Sequence, residues 1–325
     1  MADVYSEREK PMPLLAIVGP TATGKTDLSV RVARNLGAEI VSADSMLVYR
    51  HMNIGTAKPT PEETAGVPHH LIDVADPGEM YNVSQYSHSA VKVIELLHSR
   101  EKLPILVGGT GLYVKAVIDG YNFSKVGTDP ELREKLTKEC QNLGSEALHD
   151  RLKKVDPETA ARLHINDAKR VIRALEVFYL SGKTLSSDAG KLEKSPYNIL
   201  MYGLTMDRKE LYSRIERRVD KMLGQGLVDE VKGLLDKGYS SSLTSMQGLG
   251  YKEIILYING TLSLGEAVDL LKMNTRRFAK RQLTWFRRDG RIRWIDVGQR
   301  TAEEVTEEIT KAAEGVFKPV SNEFK

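Results

Sequence analysis

The sequence predicts an α/β fold, a parallel sheet with flanking helices and a helical insertion, and three observations predict it. Short apolar runs alternate with stretches of helical period over the first third of the chain; a glycine-rich loop pattern joins the first run to the first helical stretch; and from about Asp129 the texture changes to long amphipathic stretches rich in Lys, Arg and Glu.

The first element is the apolar run Leu14 to Val18, suited to a buried strand. Gly19, Pro20, Thr21, Ala22, Thr23, Gly24, Lys25 and Thr26 follow it as a complete G-x-x-x-x-G-K-[ST] phosphate loop. Gly19 and Gly24 let the backbone turn its N–H groups around phosphate oxygens, Lys25 brings a point charge, and Thr26 brings a hydroxyl suited to Mg²⁺. Asp27 to Leu36 has helical period and Gly37 is a stop, so a bound di- or triphosphate sits at a helix N-terminus. Strand, loop and helix together place the fold in the P-loop NTPase-like class. Ala38 to Ser42 and Pro104 to Val107 read as further strands, the latter after a helical stretch from about Tyr86 to Ser99. The three strands end in the phosphate loop, in Ser42-Ala43-Asp44-Ser45 and in Gly108-Gly109-Thr110-Gly111. Ligands of parallel sheets bind at the carboxyl ends of the strands, so these segments are expected to converge on one pocket.

Residues 1–122 form the first part of the core in this reading, 123–200 a helical insertion, 201–315 the second part of the core and 316–325 a tail, with both termini frayed. Pro130 to Asn142 and Pro157 to Leu180 are the insertion's helical stretches, Ile199 to Leu204 is a returning strand, and Arg208 to Gly238 gives further helices with Gly224, Gly226 and Gly238 as stops. The last folded stretch, Arg276 to Val297, ends in a strand at Ile292 to Asp296.

The single cysteine, Cys140, excludes an internal disulfide framework and a multi-thiolate zinc site, and points to a reduced, cytoplasmic setting. No membrane span and no secretory leader are expected, and a monomer is the default. The histidines lack metal-ligand spacing. A net charge of +3 means that affinity for nucleic acid must come from local clustering. The main cluster runs from Arg276 to Arg288, where cations alternate with aromatic and amide side chains, a combination that suits stacking and phosphate contact on an RNA strand. Its alternative is a solvated basic face with Phe278, Trp285 and Phe286 in the core. Lys169-Arg170 with Arg173, and Arg214 with Arg217 and Arg218, are open between extending that surface and pairing with acids. Asp44 is open between a cap or turn residue and a functional carboxylate, either general base or Mg²⁺ ligand. Thr110 is open between a tight turn and a hydroxyl offered to a second set of phosphate oxygens, the surrounding glycines favouring close ligand approach.

Several segments together resemble the tRNA dimethylallyltransferase family, also called tRNA isopentenyltransferase, in its bacterial form: Gly19 to Thr26, Ser42 to Met46, Asn53 to Pro59, His69 to Asp73, Gly108 to Tyr113 and Lys280 to Arg287, in the right order over about residues 13–298. The resemblance implies transfer of a dimethylallyl group from dimethylallyl diphosphate to N6 of the adenine on the 3′ side of the anticodon, with Mg²⁺ as cofactor and tRNA, through its anticodon stem-loop, as partner. By the same resemblance the phosphate loop holds the leaving diphosphate, with Thr26 on the metal. Asp44 takes the amine proton, Thr110 donates near the scissile oxygen, and Lys25 and Arg218 clamp the diphosphate, the register between Arg217 and Arg218 being open by one. The RNA contacts it implies are Asp44, Ser45, Met46 and Leu47; Arg133; Asn166, Asp167, Ala168, Lys169 and Arg170; Gln247, Gly248, Leu249, Gly250, Tyr251 and Lys252; and Lys280, Arg281, Gln282, Leu283, Thr284, Trp285, Phe286 and Arg287. The phosphate loop alone is also compatible with a nucleotide kinase or other ATP-binding enzyme, and a prenyltransferase acting on free adenine nucleotides is a closer rival. A non-enzymatic RNA-binding module is the third alternative.

Overall fold

A computed structural model describes residues 11–121, 126–188 and 195–317; the polar start and the end of the expected tail lie outside them. Six parallel strands, β1 (Met12–Val18), β2 (Glu39–Ser42), β3 (His69–His70), β4 (Pro104–Gly108), β5 (Tyr197–Thr205) and β6 (Ile292–Asp296), form one sheet in the order β3-β2-β4-β1-β5-β6. Burial on both faces explains why the strands read as continuous apolar runs. After the helices α1 (Lys25–Leu36) and α2 (Pro61–Thr64) come α3 (Val83–Ser99) and α4 (Gly111–Ile118), against which Leu14, Ala16 and Val18 pack on one face of the sheet. Leu15 and Ile17 point to the other, against α1 and a C-terminal helix, Ala302–Phe317.

The helix boundaries follow local capping. Helix α1 opens at Gly24 (φ 84) and closes at Gly37 (φ 59). Helix α3 opens on Asn82, whose side chain accepts from the amides of Ser84 and Gln85. The Arg208-to-Gly238 region divides into Arg208–Gly224 and Leu227–Asp236, parted by left-handed Gly226.

The described residues divide into two compact units, those within 119–196 and the rest. Among the described residues of the first, five helices, Pro130–Leu143, Ser145–Val155, Pro157–Arg162, Ala168–Ser181 and Leu185–Asp188, surround a small core of Leu136, Leu148, Leu152, Val171 and Leu175. Fully buried Glu176 accepts from the Arg133 guanidinium (2.6 Å), the Arg173 guanidinium (2.7 Å) and the Asp129 amide (3.0 Å).

Four sequence expectations need correction. Residues 197–200, placed in the insertion, belong to β5, because Tyr197 pairs with Met12 in register. Pro157 to Leu180 is two helices, since Leu163 is extended and Asp167 caps the second. The folded stretch expected from Arg276 extends further back, because the helix that carries the basic cluster starts at Leu264, with Ser263 and Glu266 forming a capping box. The stretch after 297 is not frayed up to 317: Val305, Ile309 and Ala313 cover one face of the sheet. The two-residue strand β3 carried too short a pattern to be read at all.

Burial pushes the Glu176 carboxyl up, and the hydrogen bonds from Arg173 and Arg133 more than offset this, leaving its pKa below the ordinary 4.5. Its contribution to stability is therefore present above that value and lost as pH falls through the lower folded value. Glu176→Ala, which removes the carboxylate that Arg133 and Arg173 share, is expected to destabilise the insertion by about 2 kcal/mol. Hydrogen exchange in the helices Pro130–Leu143 and Ala168–Ser181 of the full chain measures it; unchanged protection contradicts the assignment.

Candidate active site

A cavity of about 380 Å³ opens over the carboxyl ends of β1, β2 and β4, and all of its lining comes from the sheet-bearing unit. Thr21, Lys25 and Thr26 enter it from the phosphate loop, Asp44 to Leu47 from the turn after β2, and Gly108, Gly109 and Thr110 from the turn after β4. Arg218, Gln247, Gly248, Leu249, Lys252, Arg281 and Gln282 enter from the C-terminal helices and the loop between them. Its size falls in the small range of ligand sites.

The phosphate loop is left-handed at Ala22 (φ 66) and at Gly24, the alternation from which backbone anion cradles are built. The Pro20 carbonyl accepts from Lys25 Nζ (2.6 Å) and from Thr23 Oγ1 (2.9 Å), so the Thr23 hydroxyl serves the loop itself. The Thr21 amide, expected to meet phosphate, donates instead to Gln282 Oε1 at 2.9 Å. Gln282 Nε2 in turn donates to the Gly109 carbonyl at 2.9 Å. One buried amide side chain thus stitches the loop after β1 to the loop after β4.

That stitch revises the reading of Gly108 to Gly111. A Cβ on Gly109 would lie 2.2 Å from Gln282, and one on Gly111 2.1 Å from Trp285. These glycines admit protein neighbours rather than a ligand. Thr110 holds the neighbouring turn in place: its Oγ1 accepts from the Ser45 amide at 3.0 Å and its amide donates to the Ala43 carbonyl.

Asp44 Oδ1 accepts from the Met46 amide at 2.8 Å, as its turn-residue reading requires. The carboxylate nevertheless lines the cavity and acts electrostatically on both Lys25 and Arg218. Burial lowers the Lys25 pKa to about 7, with Arg218 adding repulsion and Asp44 opposing both. Burial likewise lowers Arg218 from its usual value, against Asp44 and Glu63. Of the two adjacent arginines, Arg218 lines the cavity while Arg217 is exposed. Tyr86 and Tyr113 stack with centroids 3.9 Å apart, and burial pushes both phenols up, so they stay neutral beside Asp44.

The other expected contacts divide. Ser45, Met46 and Leu47 line the cavity, and Lys280, Arg281, Thr284, Trp285 and Arg287 are exposed on the basic helix Leu264–Phe286 or just beyond it. Tyr251, Gly250, Gln282 and Phe286 are buried, which corrects their placement on an RNA-facing surface. Leu283 packs against the buried cluster of Met206, Leu211, Ile215 and Ala279. Phe278 is half-buried in the cavity wall, with the Arg281 guanidinium over its ring. In the insertion, Lys169 and Arg170 are exposed, Asp167 caps its helix and pairs with Arg170, and Arg133 is engaged by Glu176. Ser42, in the strand end expected at the pocket but given no role of its own, lines the cavity, and its buried hydroxyl has no hydrogen-bond partner among the described residues.

Residues 47–289 match the family model for IPP transferase. The tRNA dimethylallyltransferase of Pelotomaculum thermopropionicum is 54% identical over 96% of this chain and all of that protein, and that of Carboxydothermus hydrogenoformans is 52% identical over 92% of this chain and 97% of its own length. The chain belongs to the IPP transferase family. Among solved structures, the full-length tRNA isopentenylpyrophosphate transferase of Bacillus halodurans superposes with a TM-score of 0.71 at 48% identity, covering 94% of this chain and 96% of that one. A eukaryotic dimethylallyltransferase acting on tRNA superposes with a TM-score of 0.79 at 28% identity, covering 96% and 81%. Membership of this family accounts for the order of the motifs that meet in the cavity, from the phosphate loop to the basic helix.

An anion seated between Lys25 and Arg218 raises the Lys25 pKa again, so binding takes up a proton above about pH 7 and little below it, where Lys25 is already charged. Calorimetric titration of inorganic diphosphate at about pH 8, in buffers of different ionisation enthalpy, is expected to show more proton uptake by the wild type than by Lys25→Met. Equal uptake by the two contradicts the placement of the anion.

Proposed function

We propose that the chain transfers a dimethylallyl group from dimethylallyl diphosphate to the exocyclic N6 of the adenine on the 3′ side of the anticodon in tRNA, releasing diphosphate. The observation that carries this reading is the convergence of two desolvated cations and one carboxylate, Lys25, Arg218 and Asp44, on a single strand-end cavity in a member of the IPP transferase family.

The chemistry follows from those three groups. The bond from the allylic carbon to oxygen breaks and its electron pair leaves with the diphosphate, whose growing charge Lys25, Arg218 and the remaining loop amides stabilise. The N6 lone pair forms the new N–C bond, and the Asp44 carboxylate accepts the proton that N6 releases. With Oδ1 held by the Met46 amide, Oδ2 is the oxygen left for that proton. The Thr110 hydroxyl, next to Ser45 in the same wall, is the donor offered near the scissile oxygen.

Mg²⁺ is the proposed cofactor. Thr26, whose hydroxyl-bearing side chain lines the cavity beside Lys25, would help to hold it. When bound there it supplies Lewis-acid neutralisation of the diphosphate.

Gln247, Leu249 and Lys252 in the cavity lining, Lys280, Arg281 and Arg287 on and beside the basic helix, and Lys169 and Arg170 of the insertion are the proposed RNA contacts. The target base must leave its stack to enter such a pocket, which a loop nucleotide does at least cost. A monomeric, cytoplasmic enzyme is proposed; among the described residues no helix is long and apolar enough to cross a membrane.

The decisive assay offers labelled dimethylallyl diphosphate with tRNA and with AMP in competition: label is expected in tRNA, whereas label in AMP alone supports the free-nucleotide enzyme instead. Asp44→Asn is expected to lower turnover by about 10²-fold or more while tRNA binding is kept, and near-normal turnover removes Asp44 from the mechanism. Neutralising Lys280, Arg281 and Arg287 together is expected to weaken tRNA binding and flatten its dependence on salt, because fewer counterions are released; an unchanged slope contradicts that surface.

A further inference from the structure

The segment Asn53 to Pro59 has no task in the chemistry above, yet it is the most heavily tied loop around the cavity. Gly55, Thr56, Ala57 and Pro59 form part of the lining. Their backbone is held by a carboxylate from outside the cavity: Glu230, on the helix Leu227–Asp236. Its Oε2 accepts from the amides of Asn53 (2.9 Å) and Ile54 (2.8 Å), and its Oε1 from the Gly55 amide (3.0 Å) and the Tyr251 hydroxyl (2.6 Å). Four donors on two oxygens saturate the group and fix the loop in three dimensions.

A second charge secures the far side. The Lys58 ammonium, its side chain 8% exposed, donates to the Tyr49 carbonyl, to Asn53 Oδ1 and to Asp73. The loop also tolerates left-handed Ala57 (φ 48), a conformation that persists only where the surroundings over-determine it. Gly55 can carry no side chain, since a Cβ would lie 2.6 Å from the Tyr251 ring.

This anchored loop reaches the chemistry at one point. The Thr56 carbonyl accepts from Arg218 Nη2 at a long 3.5 Å, so an acceptor for the guanidinium sits next to the stretch whose amides Glu230 grips. We propose that Glu230 is a positioning residue: by gripping the amides of residues 53–55 it sets the place of the Thr56 carbonyl, and through it the place where Arg218 meets the diphosphate. The proposal rests on reading the cavity as a diphosphate site and adds a residue that never touches the substrate.

Isothermal titration of the full-length chain with inorganic diphosphate in the presence of Mg²⁺ tests it, in the wild type, Glu230→Gln, Arg218→Ala and the double variant, each first checked for a cooperative melt. Glu230→Gln keeps the side chain's shape and some of its acceptor capacity, so it keeps the test alive should Glu230→Ala fail to fold. It is expected to weaken diphosphate binding about tenfold, and in the Arg218→Ala background the same substitution is expected to change binding by less than about twofold, because the two residues act through one contact. In the transfer assay the loss is expected in the KM for the allylic diphosphate, with tRNA affinity kept. Wild-type affinity in Glu230→Gln, or an equal loss in both backgrounds, overturns the proposal while leaving the cavity's assignment standing. Failure of the wild type to bind diphosphate overturns the assignment and this inference with it.

Discussion

Two cations out of water beside a single carboxylate are the constraint around which the rest of the molecule is arranged. Lys25 and Arg218 repel each other, burial disfavours the charge on both, and Asp44 offsets only part of the cost. A fold maintains such a site only when its surroundings leave the groups nowhere else to go, and the site is strongest for a compact polyanion that satisfies both cations at once. The sheet supplies the rigidity. Its central strand β1 is buried on both faces and delivers Lys25 through a loop and helix start whose backbone geometry is fixed by glycine, while Arg218 arrives from a helix late in the chain.

Late segments also close the site mechanically. Gln282 joins the Thr21 amide to the Gly109 carbonyl, so the basic helix is part of the cavity's frame as well as the proposed surface for nucleic acid. The buried side of that helix carries Ala279, Gln282 and Phe286, and the exposed side carries Lys280, Arg281, Thr284 and Arg287. One helix therefore couples the wall of the small-molecule pocket to the face offered to the polymer.

Much of this was legible from sequence because the phosphate loop is both a local pattern and a local structure. An apolar run, a loop of fixed glycine spacing and a helical period report their own geometry, and β1, the loop and α1 lie where those signals place them. The convergence of three strand ends followed from the rule for parallel sheets, and it holds for Lys25, Asp44 and Thr110. What sequence could not convey was which side chains are consumed by the protein itself. Gln282 and Tyr251 have the chemistry of RNA contacts, and only the packing of distant helices turns them inward. The glycines after β4 suited a ligand as well as they suit Trp285 and Gln282, because a missing Cβ does not name the neighbour that fills its space. Glu230 gave no signal at all: its partners are backbone amides more than 170 residues away.

The central claim, that this pocket delivers an isoprenoid group to an adenine of tRNA, is tested most directly in the tRNA itself. Mass-spectrometric nucleoside analysis of tRNA from cells lacking the gene, and from the same cells regaining it, is predicted to show N6-prenylated adenosine vanish and return. An unchanged prenyladenosine content across both strains would contradict the account.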